Sequence, residues 1–125
     1  MTPDYSIAGK WAQIVRALAM TETNEQPRMI GDGGKAFGIL QDHPPFMAEY
    51  YRTESPYPAE ASDDWIVAEI KAAATFLQEN DYEPLDLCVQ AYNQGETAVF
   101  DKGVRAPEYL AKFTANLNKL KGQGA

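Results

Sequence analysis

An apolar stripe at helical spacing opens the chain. Trp11, Val15, Leu18 and Glu22 are separated by four, three and four positions, so they share one face of a helix predicted from about Ile7 to Thr23. The position that completes the stripe is a carboxylic acid. Asn24 to Gln41 follows, with Pro27, Gly31, Gly33, Gly34 and Gly38. Asp32-Gly33 is a turn signal between Met29-Ile30 and Phe37 to Leu40, which predicts a short glycine-rich β-hairpin or turn. Pro44-Pro45 reads as a break, Phe46 to Arg52 as a short helix, and Ser55 to Ala61, with two prolines, as a loop. Ser62 and Asp63 can cap a long helix ending near Asn80, its inward face Ile66, Ile70, Ala73 and Leu77. A further helix begins near Pro84, turns Leu85, Cys88, Val89 and Tyr92 inward, and stops around Gly95. The last starts near Pro107 and carries Leu110, Phe113, Leu117 and Leu120 before Gly122. The expected fold is mainly α, with one glycine-rich excursion.

Composition narrows the classes. A chain of 125 residues suits one domain, taken here as residues 1–125, and 45% apolar with 23% charged residues is ordinary for a soluble globular protein. No segment approaches the roughly 20 apolar residues of a membrane-spanning helix. Met1 to Lys10 places Asp4 before any lysine and lacks an apolar run, so no secretory signal is expected. Cys88 stands alone, which excludes an internal disulfide. The net charge of −7 argues against a nucleic-acid binder, which would carry a basic face.

Three segments carry candidate chemistry. Glu22, beside Met20 and Phe37, would be partly desolvated, which favours the neutral acid and suits a proton donor working near neutral pH. The alternative is an exposed glutamate at a fraying helix end. In Gly31 to Gln41, glycines let a flat substrate approach the backbone, Asp32 and Asp42 are candidate partners for Glu22, and Gln41 can bond a sugar hydroxyl or acetamide. A plain hairpin with a solvated aspartate is the simpler reading. The alternating acidic ligands of a calcium loop are missing. In Ala91-Tyr92-Asn93-Gln94-Gly95 an apolar helix ends in an aromatic and an amide, able to stack on a sugar ring and orient an N-acetyl group, or serving only as a helix stop. His43, before Pro44-Pro45, reads chiefly as a loop residue, and Cys88 as packing. Tyr50, Tyr51 and Tyr57 could edge a sugar groove or fill the core.

Taken in order, Glu22-Thr23, Gly38-Ile39-Leu40-Gln41 and Ala91-Tyr92-Asn93-Gln94-Gly95 resemble the Glu-Ser, Gly-Leu-Met-Gln and Ala-Tyr-Asn-Ala-Gly motifs of the lytic-transglycosylase domain. Gly31-Asp32, Phe37-Gly38 and Gln41 are similar to the goose-type lysozyme signature, and Pro107-Glu108-Tyr109 to the late helix start whose tyrosine lines the cleft in these families. The resemblance spans roughly Trp11 to Phe113. Thr23 stands for the usual serine, Gln94 and Glu96 depart from the family's small residues, and Asp42-His43 has no clean match to the second acid that follows the glutamine in goose-type enzymes.

The resemblance implies a lysozyme-like domain that cleaves peptidoglycan at the β-1,4 bond between N-acetylmuramic acid and N-acetylglucosamine. Glu22 would be the general acid and Asp32 the best second carboxylate, with Thr23, Phe37, Gln41, Tyr92, Asn93 and Tyr109 at the substrate. No cofactor or metal is implied. Hydrolysis needs a base for water, whereas a lytic transglycosylase lets the muramic 6-hydroxyl attack C1 and needs one carboxyl. A non-catalytic structural or glycan-binding module is the rival from another class. An acidic protein gains no steering toward an anionic wall, which suggests delivery. Together with the small size and missing signal, this suggests a phage or mobile-element protein, either virion-associated or made in the host cytoplasm and released to the wall. A bacterial domain cut from a longer exported protein would read the same. The expected partner is the glycan strand, alongside other virion or secretion-apparatus proteins.

Overall fold

In a computed structural model, residues 3–26, 29–51 and 63–123 are described. The chain opens with a 3-10 segment, Tyr5–Trp11, whose first turn is capped by Asp4 accepting from the Ser6 N–H at 3.0 Å. Gly9, at φ 60° and ψ −128°, interrupts it. The first α-helix, α1, therefore spans Ala12–Thr23 and begins later than the periodicity predicts. It ends at Asn24, left-handed at φ 54°, whose N–H returns to the Met20 carbonyl at 3.0 Å. Glu25 is left-handed too, and its carboxylate accepts from Tyr5 Oη and Arg16 Nε, both at 2.9 Å.

The predicted hairpin is present and short. Strand β1 (Ile30–Gly31) pairs antiparallel with β2 (Ala36–Phe37), Ile30 opposite Phe37, across a turn at Asp32–Gly34. Phe37 also exchanges backbone hydrogen bonds with Asp42 at 3.2 Å, which folds the next segment back beside the hairpin. Helix α2 is Pro44–Tyr50. The proline pair starts this helix rather than breaking the chain, because the first-turn N–H groups have no intrahelical acceptor to lose. Arg52, the Ser55 to Ala61 loop with Tyr57, the Ser62 cap and Pro27 lie outside the described residues.

Helices α3 (Asp63–Glu79), α4 (Leu85–Gln94) and α5 (Pro107–Gln123) follow, with one π-helical turn, Thr97–Asp101, between the last two. That turn went unread in the sequence, yet its Val99 is enclosed in the core. Helix α5 runs through Gly122 rather than stopping before it. The protein is mainly helical with a small two-stranded antiparallel sheet. Helix α1 packs on α5 and α3, and α4 on α5, around one core. Ile66, Ile70, Ala73 and Leu77 are all enclosed, and each of the large ones contributes roughly 1.5–3 kcal/mol by burial. Leu85 departs from its predicted place and is 37% exposed.

One polar residue sits on the enclosed face of α3. Glu69 is fully buried, and its two oxygens accept the Ile39 N–H at 3.1 Å and the Leu40 N–H at 3.0 Å. Gly38, at φ 83°, lets the turn pass close over it: a Cβ there would lie 2.8 Å from Trp65 Cδ1 and run into the Glu69 carboxyl. Helix α3 thus holds the glycine-rich turn against the end of α1.

Candidate functional site

Glu22 occupies the last turn of α1, where the apolar stripe meets the surface. Its Oε2 accepts from Tyr109 Oη, on the first turn of α5, at 2.5 Å. Burial raises its pKa above the ordinary glutamate value, while the Tyr109 hydrogen bond and the nearby His43 imidazole pull it back. The carboxyl faces a cleft of about 270 Å³ lined by Glu22, Asp32, Ala36, Gln41, His43, Tyr92 and Asn93. A larger groove of about 560 Å³ lies on the other side of Tyr92, between Phe46, Tyr50 and the π-helical turn. That groove is lined by Glu49 and Glu96, and burial together with Glu49 raises the Glu96 pKa, while Glu22 lines only the smaller cleft.

The other residues singled out in the sequence divide. Asp32 reaches the cleft, but its exposed carboxylate is engaged by His43 Nε2 at 2.7 Å, which lowers its pKa. Asn93 lies exposed on the cleft rim. Gln41 lines the cleft, yet its amide nitrogen is spent on the Met29 and Gly38 carbonyls at 3.0 and 2.9 Å, so it braces the turn. Tyr92 presents part of its ring to the cleft, while its hydroxyl donates inward to Asp42 Oδ1 and lies 3.1 Å from the Leu40 carbonyl. The Tyr92 ring belongs to a cluster with Phe46 and Phe76, centroids 5.3 and 5.7 Å away.

Two expected substrate contacts turn inward instead. Thr23 is 4% exposed, and its hydroxyl donates to the Ile39 carbonyl at 2.7 Å and accepts the Gln26 N–H at 3.1 Å. It ties the acid's helix to the turn and is no cleft wall. Phe37 sits edge-on to Trp65, ring centroids 6.1 Å apart, and does not line the cleft.

Beneath the cleft lie two carboxyls that sequence reasoning undervalued or missed. Asp42, 3% exposed, accepts the Tyr92 hydroxyl on Oδ1, while its enclosed Oδ2 has no hydrogen-bond partner among the described residues. Burial raises its pKa well above the ordinary value, and Glu22 adds to this. Burial pushes Glu69 up to about 10, with Asp42 adding to it. Glu69 was findable: it lies three positions after Ile66 and four before Ala73, on the predicted inward face. No local pattern marks Asp42, whose burial comes from the strand-like return to Phe37.

Two expectations follow. Tyr109→Phe removes a hydrogen bond that favours the Glu22 anion, so the Glu22 pKa should rise further and any activity that needs its proton should persist to higher pH. The alkaline limb of a kcat/KM–pH profile, or carboxyl titration by NMR, checks this, and a limb displaced to lower pH contradicts it. Stability should also depend on pH with a definite sign. For Glu22, Asp42 and Glu69 the folded pKa lies above the unfolded one, so their contribution is full below about pH 4.5 and is lost as pH rises through the folded values. Melting temperature should fall from about pH 5 to about pH 9. A Tm that climbs over that range contradicts the assignment.

No protein-family model, curated protein or solved structure matches the chain.

Proposed function

We propose that the chain is a lysozyme-like muramidase that cleaves the β-1,4 bond between N-acetylmuramic acid and N-acetylglucosamine in peptidoglycan, with Glu22 as general acid. One observation carries this reading: a glutamic acid largely withdrawn from water at a helix end, its pKa raised, facing an open cleft. A raised pKa favours the protonated acid, the form that can deliver a proton to a glycosidic oxygen as the bond to C1 breaks. Around it, Asn93 and the exposed part of Tyr92 offer an amide and an aromatic face to a sugar, and Ala36 lets the ring approach the hairpin closely.

Purified peptidoglycan sacculi treated with the protein should lose turbidity and release fragments ending in reducing N-acetylmuramic acid, read by mass spectrometry. Intact sacculi after prolonged incubation with folded protein would dismiss the enzyme and leave a glycan-binding or structural module. A second reading, a lytic transglycosylase, is favoured by the engagement of Asp32, the other carboxyl lining the cleft, with His43. That enzyme needs a single acid-base carboxyl and would leave 1,6-anhydromuramic ends instead. The net charge of −7 favours delivery to the anionic wall by a phage particle or release from a host cell over free encounter.

A further inference from the structure

The cleft holds a second chemical unit besides Glu22. We infer that His43, oriented by Asp32, is the base that activates water opposite Glu22, so that an imidazole–carboxylate dyad stands where a second carboxylate would act alone. The inference rests on the muramidase reading above, in its hydrolytic form.

Three observations carry it. His43 and Asp32 line the same cleft as Glu22. The imidazole Nε2 lies 2.7 Å from Asp32 Oδ2. Both side chains are accessible, at 46% and 66% exposure. An ionised carboxylate is an acceptor only, so the neutral ring bonded to it must carry its hydrogen on Nε2, which leaves the Nδ1 lone pair as the basic site. Among the described residues Nδ1 has no hydrogen-bond partner. The hairpin fixes the position of Asp32, whose backbone is left-handed, φ 52°, in the tight turn with Gly33 and Gly34 beside it. His43 in turn is set by the α2 start, where its carbonyl accepts the Met47 N–H at 3.1 Å. The pair is thus built from two segments that the Phe37–Asp42 bridge holds side by side, and the carboxylate fixes tautomer and ring orientation.

The step balances without any further reactant. A water oxygen forms a bond to C1 of the muramic residue as the bond from C1 to the leaving oxygen breaks. Glu22 gives its proton to that oxygen, and His43 Nδ1 takes one from the water. Exchange with solvent then resets both groups. Attack from the face opposite the leaving group inverts the anomeric centre, so the first product is the α-anomer. Asp32 is a positioning residue in this scheme, and His43 a catalytic one.

The test uses the whole protein on purified peptidoglycan, comparing wild type with His43→Gln and Asp32→Asn, with and without sodium azide. Wild type should release reducing muramic ends, first as the α-anomer by NMR. His43→Gln should lose roughly a hundredfold or more in kcat. Azide, which needs no base, should restore cleavage and yield an α-glycosyl azide, a product no merely structural defect would generate. Asp32→Asn should lower kcat with little change in KM, and Asp32→Glu should recover part of it. Asp32 is exposed, so its variants carry the test if His43→Gln fails to fold. Retention of more than a tenth of the rate in His43→Gln overturns the dyad and leaves the muramidase standing, as does a loss that azide leaves untouched. Anhydro ends from wild type overturn it in favour of the transglycosylase. No cleavage by wild type removes the muramidase reading as well.

Discussion

Glu22→Gln should abolish glycan cleavage, by a hundredfold or more, while leaving the fold and melting temperature close to wild type. The amide keeps the shape of the side chain and its acceptor oxygen, so Tyr109 Oη can still donate to it across the 2.5 Å contact. What the substitution removes is the proton that the proposed mechanism delivers to the leaving oxygen. It also removes a group that burial disfavours as an anion, so stability above neutral pH should if anything improve. Turbidity loss of sacculi and a thermal melt, measured on the same preparations, decide the matter. A variant that melts normally and retains more than about a tenth of the rate excludes Glu22 from the chemistry. A variant that is inactive because it has unfolded says nothing of chemistry, and the melt identifies that case.

The largest effect on stability is expected from Glu69→Ala. The substitution strips the acceptor from two enclosed N–H groups, those of Ile39 and Leu40, and each orphaned donor costs about 1–3 kcal/mol. It also leaves a void beneath Gly38 and Trp65, which adds a packing loss. Relief from burying a carboxyl offsets part of this, since the wild-type group is held neutral by its surroundings. The net expectation is a loss of about 3 kcal/mol or more, or roughly 10 °C in Tm for a domain of this size. Glu69→Gln should fall between, because the amide keeps one acceptor and turns a donor toward the other N–H. Urea unfolding followed by circular dichroism measures both. A loss below about 1 kcal/mol for the alanine variant would show that the turn holds without its carboxyl clamp. The consequence reaches the cleft, because the clamped turn also carries Gln41 and leads into Asp42 and His43.

Helices, hairpin and chain order were legible because each is a local property. The spacing of Trp11, Val15, Leu18 and Glu22 repeats with the helical turn, and it places the acid at the edge of a buried face before any neighbour is known. Asp32-Gly33 marks the hairpin because left-handed backbone is needed there, and the turn does adopt it. The stripe on α3 is enclosed as read. Where local signals misled, a local cause overrode the pattern: Gly9 delays α1, and Pro44-Pro45 initiates α2.

The partners of the acid were decided by tertiary structure alone. Tyr109 meets Glu22 across 87 positions of sequence because α1 packs on α5, and Asp42 receives the Tyr92 hydroxyl across 50. Periodicity states which face of a helix is apolar. It does not state which residue of another helix that face will meet. Thr23 shows the same limit in the other direction: its place beside the acid was plain, but only packing turned its hydroxyl toward the Ile39 carbonyl and away from the cleft. His43 read as a loop residue because nothing within its own segment gives it a partner. The fold that returns Asp42 to Phe37 sets its ring on Asp32, eleven positions back. The sequence by itself determined that a carboxylic acid stands at the edge of a buried helix face, since that depends on spacing along one helix. The tertiary structure decided what surrounds it, since contacts between distant segments follow from how their apolar faces close on one another.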